Sequence, residues 1–409
     1  MINTIRNLKN KPLVLVFLLY IITSYVCQEA LLPSKVNSLF LSAFVGLAFY
    51  YRILKRNHVD KHFCIWYLML LFYSLCSALL MSNNVFHTLY QMLVVLVLTF
   101  CFSIVITNRK TLQLTIVTYV ISAVLMGILI MYYNPMYLIV NVSGLGGMRL
   151  GQEETGNANI FTALMMFSGV FASWLVLFNK NVILRVCSAF SLGLILYLMA
   201  LSGGRKTIIA VVACTMFFLW KKGGYSVKKK VLSLTIICIV LYSIIYMMTN
   251  IPWLYDVVGY RFDGFLSFVG GTGESNVTSD DLRKKMIEMG FQGWTEKPIF
   301  GHGLDSFKFF NKEMTGHMFY SHNNYVEMLY DFGIIGFLFY YVFIYKLYIR
   351  LKKLPKEFET YSILGIGILL ELLFFDIGGV AYYINGNMIM LCIASLIAYS
   401  PRLINEKEK

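Results

Sequence analysis

The sequence has few charged residues: Asp, Glu, Lys and Arg make up 14% of its 409 residues, whereas hydrophobic residues make up 58%. A soluble globular domain is nearer to a quarter charged and half apolar. The mean hydropathy of +0.68 agrees with that contrast. The composition therefore excludes a soluble enzyme and predicts an all-α integral membrane protein.

The common motifs of nucleotide-binding and hydrolytic enzymes are also missing. No GxGxxG follows a strand pattern, and the sequence has no GxxxxGK[ST], no Asp-x-Asp pair, no HExxH and no GxSxG. Its eight cysteines form no CxxC pair, and none lies between 250 and 321. We therefore expect no metal ion, no cofactor and no disulfide framework.

Apolar runs of about the length that spans a bilayer recur along the whole chain, which predicts one polytopic domain over residues 1–409. Two longer polar segments interrupt them, at about 134–158 and about 250–321, and the second should contain an amphipathic helix from about 279 to 295. The predicted spans are twelve: roughly 13–31, 36–54, 63–81, 88–107, 114–133, 159–178, 183–201, 207–220, 231–249, 332–349, 361–377 and 381–400.

The net charge of +14 is mostly a topology signal. Lys and Arg are retained on the cytoplasmic side of a membrane. With both termini cytoplasmic, most basic residues lie inside, and the two long polar segments lie on the outer face. Because this placement accounts for most of the charge, we do not expect a nucleic acid as a partner.

Four arginines remain on the outer side: Arg149, Arg205, Arg261 and Arg283. Arg205 lies in the short link Ser202-Gly203-Gly204-Arg205-Lys206 between two spans, where positive charge is disfavoured. Its side chain either reaches lipid head groups or holds a phosphate through its planar guanidinium. Residues 250–321 carry seven Lys or Arg against nine Asp or Glu, which favours individual contacts to one phosphorylated ligand over a general polyanion trap.

His322 and Asn323 lie where the larger polar segment re-enters an apolar helix. A neutral histidine can accept a proton from a sugar hydroxyl near physiological pH. A purely structural role in a turn or cap is the alternative. His302 and His317 compete for the proton-accepting role, although the two glycines that flank His302 suit a tight turn better.

These residues together resemble the bacterial O-antigen polymerase and O-antigen ligase superfamily over roughly residues 145–345. The resemblance rests on the Pro-x-x-Gly-x-Gly turn at 298–303, on the His-Asn pair, and on the Gly-Ile-Ile-Gly of the following helix at 333–336. Upstream matches are the Ser202–Arg205 step, Arg261, Arg283, and an Arg-x-Gly segment followed by Asn, which is formed by Arg149, Gly151, Asn157 and Asn159. The two extra residues in Ser-Gly-Gly-Arg-Lys leave the register of Arg205 open.

The resemblance implies a fold akin to the C-type glycosyltransferases and a metal-independent, inverting transfer on the outer face of the bacterial inner membrane. It implies catalytic roles for His322, Arg205 and Arg283, and a structural turn at Gly301 and Gly303. Residues implied to bind the diphosphate or the glycan are Arg149, Arg261, Lys206, Asn159, Asn323 and Tyr325. The implied partners are undecaprenyl-diphosphate-linked glycans, membrane lipids, a chain-length regulator and a flippase.

Three functions fit the sequence. A repeat-unit polymerase would move the growing glycan from its lipid diphosphate onto the next lipid-linked unit, and we favour it because polymerases occur in a wider range of envelopes. A ligase would use the same donor with a lipid A-core or another final acceptor. A lipid-linked oligosaccharide flippase would need essential charges inside the spans, which are nearly free of them apart from Glu371 and Asp376.

Overall fold

The computed structural model of the protein describes residues 10–28, 31–54, 60–79, 85–133, 150–151, 158–223 and 278–400, together with positions 228, 231, 235, 242, 246, 250, 251 and 255. Within these residues the chain is helical and contains no β-strand. The helices are α1 (Lys11–Val26), α2 (Ser34–Leu54), α3 (His62–Leu79), α4 (Phe86–Val105), α5 (Arg109–Tyr133), α6 (Ala158–Phe178), α7 (Val182–Leu201), α8 (Arg205–Lys222), α9 (Thr278–Glu296), α10 (Ser306–Thr315), α11 (Asn324–Lys352), α12 (Glu359–Asp376) and α13 (Asn385–Tyr399).

The all-α membrane fold predicted from composition is confirmed. In the described residues eight helices are long and apolar enough to cross a membrane: α2 to α7, α11, and α12 with its preceding 3₁₀ turn. Helices α1 and α13 are shorter apolar helices. The predicted span at 231–249 lies almost wholly outside the described residues, so the number twelve stays a prediction.

The helix that contains one predicted span begins earlier than the span itself. The apolar run predicted a span from about 332, but α11 already begins at Asn324. The Oδ1 atom of Asn323 accepts a hydrogen bond from the Val326 backbone N–H at 3.1 Å and thereby caps the helix. Counting apolar residues missed this first part of α11 because it carries Glu327 and Asp331.

The chain divides into two compact units. Unit 1 comprises Met1–Tyr51 and Asn108–Glu274. Inside it α6 packs against α7 and α8, and α5 packs against α1 and α6. The Tyr25 hydroxyl lies 3.0 Å from the Leu164 carbonyl oxygen and 3.1 Å from the Ser168 hydroxyl, so a buried polar contact joins α1 to α6.

Unit 2 comprises Arg52–Thr107 and Ser275–Lys409. Helix α11 lies against α3, α9, α10, α12 and α13 of this unit. The ring of Trp66 on α3 stacks on Phe343 of α11 with 4.1 Å between ring centroids. The amphipathic helix predicted at about 279–295 is α9, and it packs directly on α11.

Candidate active site

Helix α11 is broken at Gly333, whose backbone has φ 62° and ψ −167°. Only glycine adopts this region readily, because a Cβ atom would collide with the backbone there. The break interrupts the helical hydrogen-bond ladder in the N-terminal third of α11. Backbone donors and acceptors that a continuous helix would pair internally therefore need partners from another segment.

The segment Pro298–Gly303 supplies those partners. The backbone N–H groups of His302 and Gly303 donate to the carbonyl oxygens of Tyr330 and Asp331 at 2.8 and 2.7 Å. In the other direction, the N–H of Ile334 donates to the Pro298 carbonyl at 2.9 Å. The turn thus replaces the missing helical bonds on both sides of Gly333.

This docking depends on two glycines that face each other. Gly301 has φ 73°, and a methyl group on it would overlap the backbone of Asp331 and Gly333. A methyl group on Gly333 would overlap the backbone of Ile299. The first glycine of the Pro-x-x-Gly-x-Gly motif and the first glycine of the Gly-x-x-Gly motif therefore belong to one close approach of two backbones.

The carboxylate of Asp331 fixes the chain that follows the turn. It is fully buried and accepts the backbone N–H of Asp305 at 3.0 Å and that of Phe307 at 3.1 Å. The hydroxyls of Ser306 and Tyr382 donate to it at 3.0 and 3.2 Å. Three of these four donors come from the start of α10 and hold it against α11, and the fourth, Tyr382, comes from the segment between α12 and α13.

Asp305, in turn, carries two charged or polar contacts of its own. Its Oδ2 atom accepts the Thr88 hydroxyl at 2.6 Å and lies 2.7 Å from the ammonium of Lys308. The side chain of Asp305 is almost completely buried, whereas that of Lys308 is about one-fifth exposed. A polar network therefore runs from α11 through Asp305 to the surface at Lys308.

His322 lies in a second turn, directly before α11. Its backbone is left-handed, with φ 58°, and its ring lies 4.3 Å from that of Tyr320, measured between centroids. The Ser321 hydroxyl donates to the Asn323 carbonyl oxygen at 2.8 Å, which closes the turn around His322. The Ser321 backbone N–H donates to Oε2 of the buried Glu327 at 2.7 Å.

Helix α9 brings Arg283 to this turn. A methyl group on Gly290 would overlap Val326, and one on Gly293 would overlap Tyr330, so α9 and α11 run side by side in the same direction. Arg283 lies seven residues before Gly290 and thus on the same face of α9. That spacing places it level with the residues just before α11.

The electrostatics of Tyr320 agree with this placement. Burial raises the pKa of the Tyr320 hydroxyl, the positive charge of Arg283 opposes the rise, and the negative charge of Glu327 adds to it. Tyr320 is therefore within electrostatic reach of Arg283 while its ring lies against His322. Arg283 and His322, predicted from separate motifs, thus each lie near the same tyrosine.

Asn323 and Tyr325 tie the same turn to α12. The Asn323 side-chain amide lies 3.4 Å from the Ile377 carbonyl oxygen, and the Tyr325 hydroxyl donates to the Leu373 carbonyl oxygen at 3.1 Å. Both residues were predicted to bind substrate. Their described contacts show them supporting the turn.

The two competing histidines have different surroundings. The Nε2 atom of His302 lies 2.8 Å from the Gly293 carbonyl oxygen, and its ring stacks on Tyr330 at 4.4 Å. His317 is exposed and its ring stacks on Phe319. Of these three histidines, His322 is the one that lies directly before α11 and beside Tyr320, which is within electrostatic reach of Arg283.

Unit 1 brings together another set of predicted residues. The Ser202 hydroxyl donates to the Ala158 carbonyl oxygen at 3.3 Å, and a methyl group on Gly204 would overlap Thr162. The link before α8 therefore lies against the first turn of α6. Half-buried Asn159 is the second residue of α6, and half-buried Lys206 is the second residue of α8.

Other predicted positions lie outside the described residues. These are Arg149 and Arg261, most of both long polar segments up to residue 277, and the side chain of Arg205. Their roles stay predictions.

Sequence reasoning missed three buried acidic residues of unit 2 that lie next to the two turns: Asp305, Glu327 and Asp331. Their signal was present, since two carboxylates spaced i and i+4 at the start of an apolar helix are expensive to bury without partners. The hydrogen bonds that Glu327 and Asp331 accept from the two turns offset part of that cost. The apolar-run count began the span at about 332 and so passed over the pair.

A protein-family model described as O-antigen ligase matches residues 190–341. The match includes α8 to α10, both turns and the broken part of α11. A search of curated proteins returned no match. Residues 190–341 of this membrane protein thus match the O-antigen ligase family, which confirms the O-antigen polymerase and ligase superfamily predicted from the motifs.

Proposed function

We propose that this protein is a membrane glycosyltransferase that polymerises lipid-linked polysaccharide repeat units on the outer face of the bacterial inner membrane. The donor is a growing glycan on undecaprenyl diphosphate, and the acceptor is a hydroxyl of the next lipid-linked unit. The family match supports this class of substrate.

The proposed chemistry is an inverting displacement at the anomeric carbon of the donor. The acceptor oxygen forms the new bond to that carbon, and the bond from the carbon to the diphosphate oxygen breaks with its electron pair leaving on the diphosphate. His322 takes the proton of the acceptor hydroxyl. The guanidinium of Arg283 neutralises the charge that develops on the leaving diphosphate.

One observation supports this proposal: the ring of His322 lies against Tyr320, and Arg283 is within electrostatic reach of the same tyrosine, although 38 intervening residues separate Arg283 from His322 in the sequence. A cation that can hold a phosphate and a base that can take a hydroxyl proton are the two groups that the displacement needs. Arg149, Arg205 and Arg261 keep their predicted diphosphate-binding roles within this proposal.

The family description favours a second candidate, an O-antigen ligase with a lipid A-core or other final acceptor. The donor chemistry and the proposed residues would be the same. The two functions differ in what accumulates when the protein is missing. Glycan limited to a single repeat indicates a polymerase, whereas long chains that remain on undecaprenyl diphosphate indicate a ligase.

The site is tested with purified protein in vesicles that contain lipid-diphosphate-linked repeat units. His322→Asn suits the experiment because asparagine tolerates the left-handed backbone of this position. We expect His322→Asn and Arg283→Ala to make no long glycan while they remain folded. Exposed neighbours supply the controls, His317→Asn and Lys284→Ala, which should give the wild-type ladder of chain lengths.

Normal ladders from both His322→Asn and Arg283→Ala would refute the site assignment. In a deletion strain, repeat units that stay on the cytoplasmic face would instead support the flippase hypothesis.

A further inference from the structure

Two non-glycine residues in the described part of the chain have a left-handed backbone: Asp305 and His322, each with φ 58°. This conformation costs about 1–3 kcal/mol for a residue with a Cβ atom, so the surrounding structure must hold it. Such residues cluster where a side chain has to be aimed. Both residues occur in unit 2. Asp305 follows the turn at 298–303, and His322 lies within the turn at 321–323.

A carboxylate of α11 holds the backbone at each of these positions. Asp331 accepts the N–H of Asp305 itself at 3.0 Å. Glu327 accepts the N–H of Ser321, the residue directly before His322, at 2.7 Å. Residues at i and i+4 share one face of a helix. The two carboxylates therefore accept the hydrogen bonds of the two strained segments on the same side of α11.

The described hydrogen bonding of the Glu327 side chain is confined to Ser321. This side chain is fully buried, and its Oε1 atom has no hydrogen-bond partner among the described residues. A buried carboxylate is costly to retain in an apolar helix, and the hydrogen bonds of the Glu327 carboxylate go to Ser321. Hydrogen bonds between Ser321 and Asn323 close the turn. The hydrogen bond to Glu327 attaches this turn to the first turn of α11.

We propose that Glu327 is a positioning residue that aims the imidazole of His322 by fixing the Ser321–Asn323 turn on α11. The inference rests on the proposed function, in which His322 takes the acceptor proton. Glu327 contributes one hydrogen-bond acceptor to this role. The amide oxygen of glutamine supplies the same acceptor, whereas leucine, of similar size, supplies none.

The role predicts different results for two substitutions of the same residue. Glu327→Leu should lower kcat by about 10–100-fold, as expected when a group that orients a reacting side chain is lost. The KM for the lipid-linked donor should stay unchanged. Glu327→Gln should restore kcat to near the wild-type value, because the bond to the Ser321 N–H can form again.

Glu371→Leu is the matched control. Glu371 is also a buried glutamate of unit 2, and its Oε1 atom likewise has no hydrogen-bond partner among the described residues. It lies on α12, with no described bond to the turn. Its substitution removes a buried carboxylate without touching the Ser321 N–H, so kcat should remain at the wild-type value.

The experiment measures kcat, KM and thermal unfolding for purified Glu327→Leu, Glu327→Gln, Glu371→Leu and His322→Asn in the same vesicles. The inference is overturned if Glu327→Gln is as inactive as Glu327→Leu, since Glu327 would then act through its charge. It is also overturned if Glu327→Leu turns over normally while His322→Asn is inactive. Normal turnover by His322→Asn would instead contradict the proposed function itself.

Discussion

The two histidine-containing turns of unit 2 lie at opposite ends of the same helical segment, Asn324–Phe332, and use histidine differently. In the turn at 298–303 the imidazole of His302 is bound to the Gly293 carbonyl oxygen and stacked on Tyr330. In the turn at 321–323 the ring of His322 is half-exposed beside Tyr320, and Arg283 is within electrostatic reach of that tyrosine. The turn at 298–303 supplies the hydrogen bonds that α11 loses at Gly333. The turn at 321–323 leaves the ring of His322 partly exposed.

The contrast separates residues that build the site from those that would react in it. Backbone bonds dominate the first turn, where His302 and Gly303 pair with carbonyl groups exposed by the break at Gly333. The second turn is held by side chains, Glu327 and the Asn323 cap, and it leaves its histidine in a strained conformation.

The largest effect is expected from Gly333→Ala. The alanine methyl would overlap the Ile299 backbone, and φ 62° with ψ −167° suits glycine alone. We expect a loss of about 3–5 kcal/mol in the free energy of unfolding, which should greatly reduce the yield of folded protein. Yield and thermal unfolding in detergent measure the effect, with Gly316→Ala as the control, because Gly316 also has positive φ but has open space around it. Equal stability of the two variants would contradict the docked-turn account.

A smaller loss is expected when the anchor of α10 is removed by Asp331→Leu. Without the carboxylate, the buried N–H groups of Asp305 and Phe307 lose their described partner, which should cost about 3 kcal/mol. Tyr382→Phe removes a single donor to the same carboxylate and should cost about 1 kcal/mol. Chemical denaturation measures the loss in the free energy of unfolding for each variant. An equal loss in Asp331→Leu and Tyr382→Phe would show that Asp331 does not stabilise the protein through several donors at once.

A still smaller change is expected from Asn323→Ala. The substitution removes the cap of α11 and should lower the free energy of unfolding by about 1 kcal/mol. Asn323→Asp restores a capping oxygen and should recover that stability. If Asn323→Asp keeps its stability but loses glycan transfer, the amide group itself contacts substrate, as the sequence resemblance implied.

Much of this arrangement was predictable from the sequence, and the reasons for the rest are physical. The membrane-spanning helices follow from apolar runs, and α9 follows from an amphipathic pattern within a polar segment. The break at Gly333 was hidden because Gly-Ile-Ile-Gly reads as part of an apolar helix, and its docking partner lies 32 residues earlier, at Gly301. The roles of Glu327 and Asp331 depend on backbone groups of separate turns, which local patterns do not encode.

The account predicts that the first turn is scaffold and the second is reactive, and a paired substitution tests this most directly. Glycan transfer per folded molecule would be measured for His322→Ala and His302→Ala beside thermal unfolding. We expect His322→Ala to lose about 10²–10⁴-fold in kcat with little change in stability. His302→Ala should lose about 2 kcal/mol of stability, because it loses a hydrogen bond and an aromatic contact, yet keep near wild-type turnover per folded molecule. Folded but inactive His302→Ala together with active His322→Ala would contradict the account.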